Sequence, residues 1–514
     1  MAEQEPEKTG EKDTPAGGRI PIPGLYRNWI SWAGTAIALV VLANILFLLL
    51  LDLFGVKTNP YVGIIAYMIL PAVMILGLLL IPIGMVIERW RRRKLLPGQY
   101  PPYPRIDLNS PRQRSAFVFF LTGGLFFLFL SALGSYRAYE YTETTQFCGQ
   151  LCHVVMNPEF TAYQASPHAR VPCVSCHVGP GAGWYVRSKL SGARQLYAAA
   201  FNKFPRPIPT PVHNLRPARE TCEQCHWPER FYGGQLKVIT HYANDEKNTP
   251  LQVRLLIKTG GGSPTTGIVA GIHWHMNIAN EVTYVATDEQ RQTIPWVRIK
   301  DRQGRVTEYT AKDAKLTPAQ LAAADKRTMD CVDCHNRPSH VYVPPDRSVE
   351  EAMFAQHIDV TLPAIKQNAV EVLSQAYTST PEALEKIATT LDRTYLTKYP
   401  EAYKQKQESL RQAITEVQRI FQTTIFPEMK VDWRTHPNNI GHMYFAGCFR
   451  CHDGNHVSPE GRVISKDCES CHTFVSEQAG GTPSSAISGV QFKHPVDIGD
   501  MKDVSCTDCH GGTQ

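Results

Sequence analysis

Residues 148–177 read CGQLCHVVMNPEFTAYQASPHARVPCVSCH, and they contain two pairs of cysteines that are each followed directly by histidine. The first pair has the wider form C-x-x-x-C-H and the second has the form C-x-x-C-H. In the rest of the 514-residue chain the second form recurs five more times, so that seven pairs use all 14 cysteines. The cysteines are Cys148, Cys152, Cys173, Cys176, Cys222, Cys225, Cys331, Cys334, Cys448, Cys451, Cys468, Cys471, Cys506 and Cys509. The histidines that follow them are His153, His177, His226, His335, His452, His472 and His510.

The C-x-x-C-H pattern is the attachment signature of haem c. Its two thiols form thioethers with the haem vinyl groups, and the next imidazole is held as an axial ligand of the iron. The sequence therefore predicts seven covalently bound haems c, with the seven motif histidines as proximal ligands. Zinc sites do not need a histidine directly after the second cysteine. A disulfide framework would give no reason for the histidines, so both alternatives are disfavoured.

Long apolar runs lie ahead of every cysteine, although the mean hydropathy of −0.24 is that of an ordinary soluble chain. Three runs, 30–51, 58–87 and 115–136, contain no charged residue. Each is long enough to cross a hydrocarbon core of about 30 Å as a helix. The sequence predicts a three-helix transmembrane anchor over residues 30–140, preceded by a tail over residues 1–29.

Lysine and arginine in the flanks of these runs predict the orientation. The tail has four, the segment between the second and third runs has eight, and the turn between the first two has only Lys57. The positive-inside rule places the N-terminus in the cytoplasm and the residues after the third run in the periplasm of a bacterial inner membrane. The basic cluster at 89–94 is interpreted as a topology signal, and no nucleic-acid partner is expected. The first run is too long for a cleavable signal and is predicted to stay as an anchor in the lipid bilayer.

The spacing of the motifs divides the exported part into four segments. Residues 141–226 carry three motifs, 227–330 form a small strand-rich insert, 331–447 carry one motif and a helical segment, and 448–514 carry three motifs. A strand is predicted at 282–286 and a hairpin at 295–310, turning at 301–304. Helix starts are predicted at Thr317, Ser348 and Thr380. The predicted fold class is a mainly α membrane anchor plus a multihaem region, helical and irregular, with the strand-rich insert.

Electron-transfer haems usually take a second protein ligand, and eleven histidines remain after the motifs for this role. The candidates close in sequence to a motif are Met156, His168, His213, His340, His442, His456 and His494. Met156 competes for the first haem. His273 and His275 lie in the insert, where only proximity in the fold can decide their role. His357 lies on a predicted helix and is expected to be an ordinary histidine.

The residues from the third run to about 340 resemble the NapC/NirT/NrfH family of membrane-anchored, quinol-oxidising multihaem cytochromes. The resemblance rests on the first motif with a Met behind it, Ser166-Pro-His168, and Ser188-Lys189-Leu190 before the Cys222 motif. It implies that menaquinol or a related quinol is oxidised beside the Cys148 haem, with Lys189 near the quinone oxygens. For Lys189 the alternative is a solvated or headgroup-binding lysine.

The chain also departs from this family, because it has three apolar runs where the usual members have one and no acid shortly after Lys189. The proton acceptor is therefore open, and Glu140, Glu143 and Glu159 are the nearby carboxylates. The plan of three spans and seven motifs resembles inner-membrane cytochromes of metal-reducing bacteria.

Three functions follow from these features. The first is a quinol dehydrogenase that draws on the membrane quinol pool and passes electrons to a periplasmic acceptor such as a soluble cytochrome c. The second is a terminal reductase of a small oxidant such as nitrite, with one haem left open, although no motif here replaces its histidine by lysine as such enzymes often do. The third is a conduit that receives electrons from a separate quinol-oxidising partner.

Overall fold

A computed structural model describes residues 24–26, 28–53, 70–92, 107–179, 182–212, 215–227, 231, 233–260, 271–276, 280–301, 303–479, 484–485, 489–492, 494, 499, 504, 506–510 and 512. The chain forms two compact units, residues 1–143 and 144–514. All the motifs lie in the second unit.

The first unit is helical, as the apolar runs predict. Its helices are α1 (Trp29–Leu53), α2 (Leu70–Arg92) and α3 (Pro111–Thr142). Among the described residues, Trp29–Phe47 and Leu70–Arg91 are long and apolar enough to cross a membrane. Helix α3 covers the third predicted run, whose crossing of the membrane stays a prediction. Residues 58–69 of the second run lie outside the described residues.

Small residues bring α1 and α2 together as an antiparallel pair. A Cβ atom on Gly34 would lie 2.6 Å from the carbonyl oxygen of Gly77, so the backbones can approach only because glycine stands there. The buried Ser31 donates from Oγ to the carbonyl of Ile81, at 2.9 Å. Close backbone approach through small residues is how membrane helices associate without a hydrophobic driving force. The start of α1 and the end of α2 therefore lie side by side. The positive-inside prediction requires this arrangement, because it places the basic flanks of both ends on the same side of the membrane.

Replacing Gly34 by leucine is expected to separate α1 from α2. The new side chain meets backbone atoms that cannot move aside, and overpacking of this kind costs about 1–3 kcal/mol. We expect a lower melting temperature of the solubilised protein and a lower yield in membranes. Gly123→Leu is the matched control, because a Cβ atom there meets nothing within 4 Å. Equal losses in both variants would contradict the packing argument.

The second unit opens with helices that surround the first motifs. They are α4 (His153–Gln164), α5 (Cys173–His177), α6 (Ala182–Ala200) and α7 (Ala218–Cys222). Further along lie α8 (Pro318–Ala323), α9 (Cys331–Cys334), α10 (Pro345–Phe354), α11 (Ile365–Ser374), α12 (Thr380–Lys398), α13 (Pro400–Gln405), α14 (Gln407–Thr424) and α15 (Cys506–Cys509). Helices α10 to α14 share a core whose residues include Ile387, Leu391 and Phe421, all fully buried.

Two antiparallel sheets make up the strand-rich part. One has the order β1 (Gln235–Tyr242), β2 (Pro250–Ile257), β8 (His472–Ala479), β9 (Ser484–Ser485). The other has the order β6 (Arg327–Thr328), β3 (Glu281–Val285), β4 (Trp296–Lys300), β5 (Val306–Ala311), β7 (His456–Val457). Strands of the insert thus pair with strands of the C-terminal segment, through β2 with β8 and β5 with β7.

The predicted fold class and several predicted elements are confirmed. Strand β3 occupies the predicted strand at 282–286, and β4 and β5 form the predicted hairpin, with Gly304 at φ +76° in its turn. Thr317 caps α8 in a capping box. The predicted start at Ser348 was wrong, because α10 begins three residues earlier at Pro345. Proline suits the first helical position, since its missing N–H has no partner there in any case.

Candidate haem sites

Local backbone structure holds each cysteine pair of the described motifs on a single turn. In α5, α9 and α15 one helical turn places the two cysteines three residues apart on the same face. The first motif has one more residue between its cysteines, and the chain accommodates it as a π turn, Phe147–Leu151. Gly149 lies inside this turn, where a Cβ atom would lie 2.1 Å from the Phe160 ring.

Six motif histidines each face a second histidine. The distances between ring centroids are 6.1 Å for His226 with His168, 6.3 Å for His177 with His340, 6.3 Å for His335 with His273, 5.8 Å for His452 with His275, 6.2 Å for His472 with His442, and 6.1 Å for His510 with His494. Two metal–nitrogen bonds of about 2 Å and about 1 Å within each ring add up to about 6 Å. The spacing therefore fits one iron between each two imidazoles, and the adjacent cysteine pair fits covalent attachment of its haem.

Hydrogen bonds fix the orientation of several of these rings. Nδ1 of His340 lies 3.0 Å from the Glu159 carbonyl, Nδ1 of His275 lies 2.8 Å from that of Ile272, and Nδ1 of His452 lies 2.9 Å from that of Ser465. His168 and His273 approach the carbonyls of Pro338 and Thr259 in the same way. An Nδ1–H that donates to a carbonyl sets the tautomer and leaves the Nε2 lone pair free for a metal.

Burial keeps these rings in the form that binds a metal. It lowers the pKa of the imidazole for seven of the facing rings, so that they are neutral near pH 7. The seven are His177, His275, His335, His340, His442, His472 and His510. The Nδ1 atoms of His442 and His472 are buried and have no hydrogen-bond partner among the described residues.

The first six motifs lie beside one another in the order of the sequence. Sγ of Cys173 is within hydrogen-bonding reach of Cys148, and that of Cys222 is within reach of Cys331. Cys176 interacts with Cys222, Cys334 with Cys448, and Cys448 with Cys471. The sites therefore form a continuous series rather than separate clusters.

The last motif lies beside a group of buried ionic side chains. His510 interacts with His241, Lys366 and Glu350. Glu350 is 2% exposed, and it lies 3.1 Å from Nζ of Lys366 and 2.8 Å from Nδ1 of His241. Each charge in this group thus has an opposite partner, which buried charges require.

A buried carboxylate organises the fourth motif. Asp333 stands between Cys331 and Cys334 and is 2% exposed. It accepts hydrogen bonds from Nε of Arg327 at 2.7 Å, from Nη1 of Arg291 at 3.1 Å and from the hydroxyl of Tyr284 at 2.7 Å. Burial and the Asp333 charge raise the pKa of Tyr284, so the hydroxyl stays protonated and donates.

The predicted second ligands fall into four groups. His168, His340, His442 and His494 each face a motif histidine. His456 does not, because its Nδ1 bonds Asp453 at 2.9 Å and its Nε2 bonds the carbonyl of Ile294 at 2.7 Å. His213 lies outside the described residues. Met156 lies one turn after His153 on α4, so both residues belong to the same helix face.

Two of the facing histidines were not selected by proximity to a motif. His273 and His275 lie on the 3-10 turn Ile272–Met276 and face His335 and His452, which are far away in sequence. Their His-Trp-His spacing was the only sequence signal for a shared role. His357 is exposed, 3.7 Å from Glu416, in keeping with an ordinary histidine.

The proposed quinol residue Lys189 lies within α6, and its side chain is outside what the structure describes. A cleft of about 300 Å³ lies beside the first motif. It is lined by Thr145, Gln146, Gln150, Phe160, Tyr163, Gln164 and Ala169.

Apolar helices that suit a membrane, followed by a series of haem-attachment motifs with facing imidazoles, define a membrane-anchored multihaem cytochrome c. Residues 110–208 match the N-terminal region of the NapC/NirT cytochrome c family. The cytochrome c-type protein ImcH of Geobacter sulfurreducens is 46% identical over 488 residues, which cover 95% of this chain and 96% of ImcH. The chain therefore belongs to the NapC/NirT family as an ImcH-like multihaem cytochrome. No solved structure matches it.

Proposed function

We propose that this chain is a quinol dehydrogenase of the bacterial inner membrane that binds seven haems c and delivers electrons to a periplasmic acceptor. Quinol oxidation releases two electrons and two protons. When bound, the haems supply one-electron redox chemistry that separates the two electrons. The residues of the chain hold the quinol, receive its protons and keep the ligating imidazoles neutral and oriented.

The six facing imidazole pairs carry this proposal. An iron held between two such imidazoles would have no position open for a substrate, which is typical of electron-transfer haems. The motifs also adjoin one another in series, starting from the motif that follows α3 in the chain. A series of motifs that begins in the chain directly after the membrane anchor, with facing imidazoles at six of its seven sites, suits a relay from the quinol pool.

The cleft beside the first motif is the proposed quinol-headgroup site. The amide groups of Gln146, Gln150 and Gln164 can donate hydrogen bonds to quinone oxygens, and the Phe160 ring offers a flat apolar wall. The Tyr163 hydroxyl is already engaged, because it donates to the carbonyls of Ala169 and Val171. We propose Lys189 as the cation that steadies the oxygen from which a proton leaves.

Glu159 is the least suitable of the three carboxylates proposed as proton acceptors. It lies 3.4 Å from Nη2 of Arg337 and 3.1 Å from Nδ1 of His340. Burial opposes ionisation, but the Arg337 guanidinium holds the pKa of Glu159 below its usual value. A carboxylate in such an ion pair has little affinity for a proton. Glu140 and Glu143 remain the candidates.

The terminal-reductase alternative loses its main structural support. It depended on the insert shaping a substrate pocket at the Cys331 haem. The insert instead supplies His273, whose ring lies parallel to that of His335 at 6.3 Å. The conduit alternative differs from the proposal only in lacking a quinol site. The Lys189→Ala variant therefore distinguishes the two functions.

Replacing Lys189 by alanine is expected to lower menaquinol oxidation by about tenfold or more, since loss of one charge-stabilising donor commonly costs at least this much. Stopped-flow reduction of the haems by a menaquinol analogue measures the effect. Haem content and the low-spin spectrum should not change. Arg194→Ala is the matched control, because Arg194 is an exposed cation on the same helix. Equal rates in the two variants would favour the conduit.

The proposal as a whole is tested on the wild-type protein in nanodiscs. We expect a haem-to-protein ratio of seven, low-spin EPR signals for six haems, and rapid reduction by the menaquinol analogue. Failure to oxidise the analogue with any acceptor would exclude a quinol dehydrogenase. A high-spin haem that binds nitrite, without any response to quinol, would favour the reductase.

A further inference from the structure

Helix α6 (Ala182–Ala200) exposes large apolar side chains from its middle to just after its end. Leu190 is 70% exposed, Tyr197 52% and Phe201 63%. At 100° per residue these three positions fall within one narrow stripe of the helix surface. The rings of Tyr197 and Phe201 lie 4.8 Å apart, so the stripe is continuous there.

A second face of α6, about 100–140° round the helix from the stripe, is polar. Ser191 and Gln195 are exposed on it, and Nε2 of Gln195 donates to Oγ of Ser191 at 3.2 Å. Helix α6 is therefore amphipathic. Its apolar stripe and its polar face are both exposed among the described residues.

A helix of this length normally buries such a stripe. Helix α12 also has 19 residues, and it buries Ile387, Leu391 and Tyr395 completely. Because most of the stability of a helix in a protein comes from packing of its apolar face, α6 needs a surface that covers its stripe.

The charge of this part of the chain indicates which surface covers the stripe of α6. Residues 160–219 contain eight lysines and arginines and no aspartate or glutamate. Near α6 these cations lie against aromatic rings: Arg187 is 5.3 Å from the Trp184 ring centre, Lys203 is 5.2 Å from that of Tyr197, and Arg206 is 4.3 Å from that of Phe204. A helix with an aromatic and aliphatic stripe and only basic charges is typical of the interface of a membrane with anionic lipids.

We propose that α6 lies in the headgroup layer of the bilayer, with Leu190, Tyr197 and Phe201 directed towards the acyl chains. The proposal rests on the membrane anchor, and the haem-bearing unit follows α3 after a single residue, so the bilayer is close to it by covalent connection. In this position Lys189, one residue before Leu190, lies at the membrane depth where a quinol headgroup enters. Only this placement of Lys189 depends on the proposed quinol site.

Alkylation of single introduced cysteines tests the proposal. The native cysteines are expected to be thioethers, so one added thiol is the only reactive one. Leu190→Cys and Tyr197→Cys place it on the stripe, and Ser191→Cys and Gln195→Cys are the matched controls on the polar face. In nanodiscs, a charged, membrane-impermeant maleimide should react about tenfold or more slowly with the stripe thiols, because thiols in apolar surroundings are protonated and inaccessible. Haem content verifies that each variant folds.

The outcome distinguishes lipid from other surroundings. Equal, fast alkylation of all four thiols would overturn the proposal and leave the stripe open for a protein partner. Slow alkylation at 190 and 197 should become slower still when phosphatidylglycerol replaces part of the phosphatidylcholine. If phosphatidylglycerol did not change the alkylation rates, the proposed electrostatic attraction to anionic lipids would be refuted. None of these readouts uses quinol turnover, so the result stands apart from the proposed activity.

Discussion

Replacing Asp333 by alanine is expected to lower the free energy of unfolding by about 3–5 kcal/mol. The substitution leaves the cations Arg291 and Arg327 facing a space without negative charge, and the hydroxyl of Tyr284 loses its acceptor. Removing one partner of a buried ion pair costs more than the pair contributes, because the remaining charge stays desolvated. The midpoint of chemical denaturation, followed by circular dichroism and by the Soret band, measures the loss. A lower yield of haem attached at Cys331 and Cys334 should accompany it.

The matched control is Asp508→Ala. Asp508 occupies the same place in the seventh motif, directly before the second cysteine, but it is exposed. We expect a change within about 0.5 kcal/mol there, as for most surface substitutions. Equal effects at the two positions would show that the aspartate serves haem attachment as such, and not the ion pairs around the fourth motif.

The attachment sites could be predicted because their chemistry is local. Two thiols and an imidazole must follow one another on a single turn, so a short stretch of sequence contains the whole signal. The apolar runs are equally direct, since the thickness of a bilayer fixes the length of a crossing helix. The hairpin at 295–310 was predicted from alternating residues around a glycine turn, which is also a local pattern.

The second imidazoles could not be fully predicted, since they meet the motif histidines only through the fold. His273 and His275 approach His335 and His452 because the insert strands pair with the C-terminal segment. Nearness in sequence to a motif selected His456 as a candidate second ligand, but the direction of a side chain in a strand is set by its sheet. Strand β7 points His456 at Asp453 and at the carbonyl of Ile294. The pairing of distant strands was the missing information.

Replacing His275 by alanine is expected to convert the haem at Cys448 and Cys451 from low spin to high spin. The ring of His275 lies 5.8 Å from that of His452, and its Nδ1 is held by the carbonyl of Ile272. Without this imidazole, the described residues offer only His452 at that site. EPR should show a new high-spin ferric signal, and added imidazole should restore the low-spin spectrum. Electron delivery to a soluble acceptor should fall, because the fifth site stands within the series.

His456→Ala separates this interpretation from the one based on sequence distance. His456 is 1% exposed, and both its ring nitrogens are hydrogen-bonded, so its loss should cost about 1–3 kcal/mol of stability while the low-spin spectrum persists. If His456→Ala gave the high-spin signal and His275→Ala did not, the pairing of facing imidazoles would be wrong at the fifth motif. The same geometric rule assigns the other five pairs, so that result would remove the main support for a relay of closed sites. The opposite result would establish the pairing where sequence distance and geometry disagree most clearly.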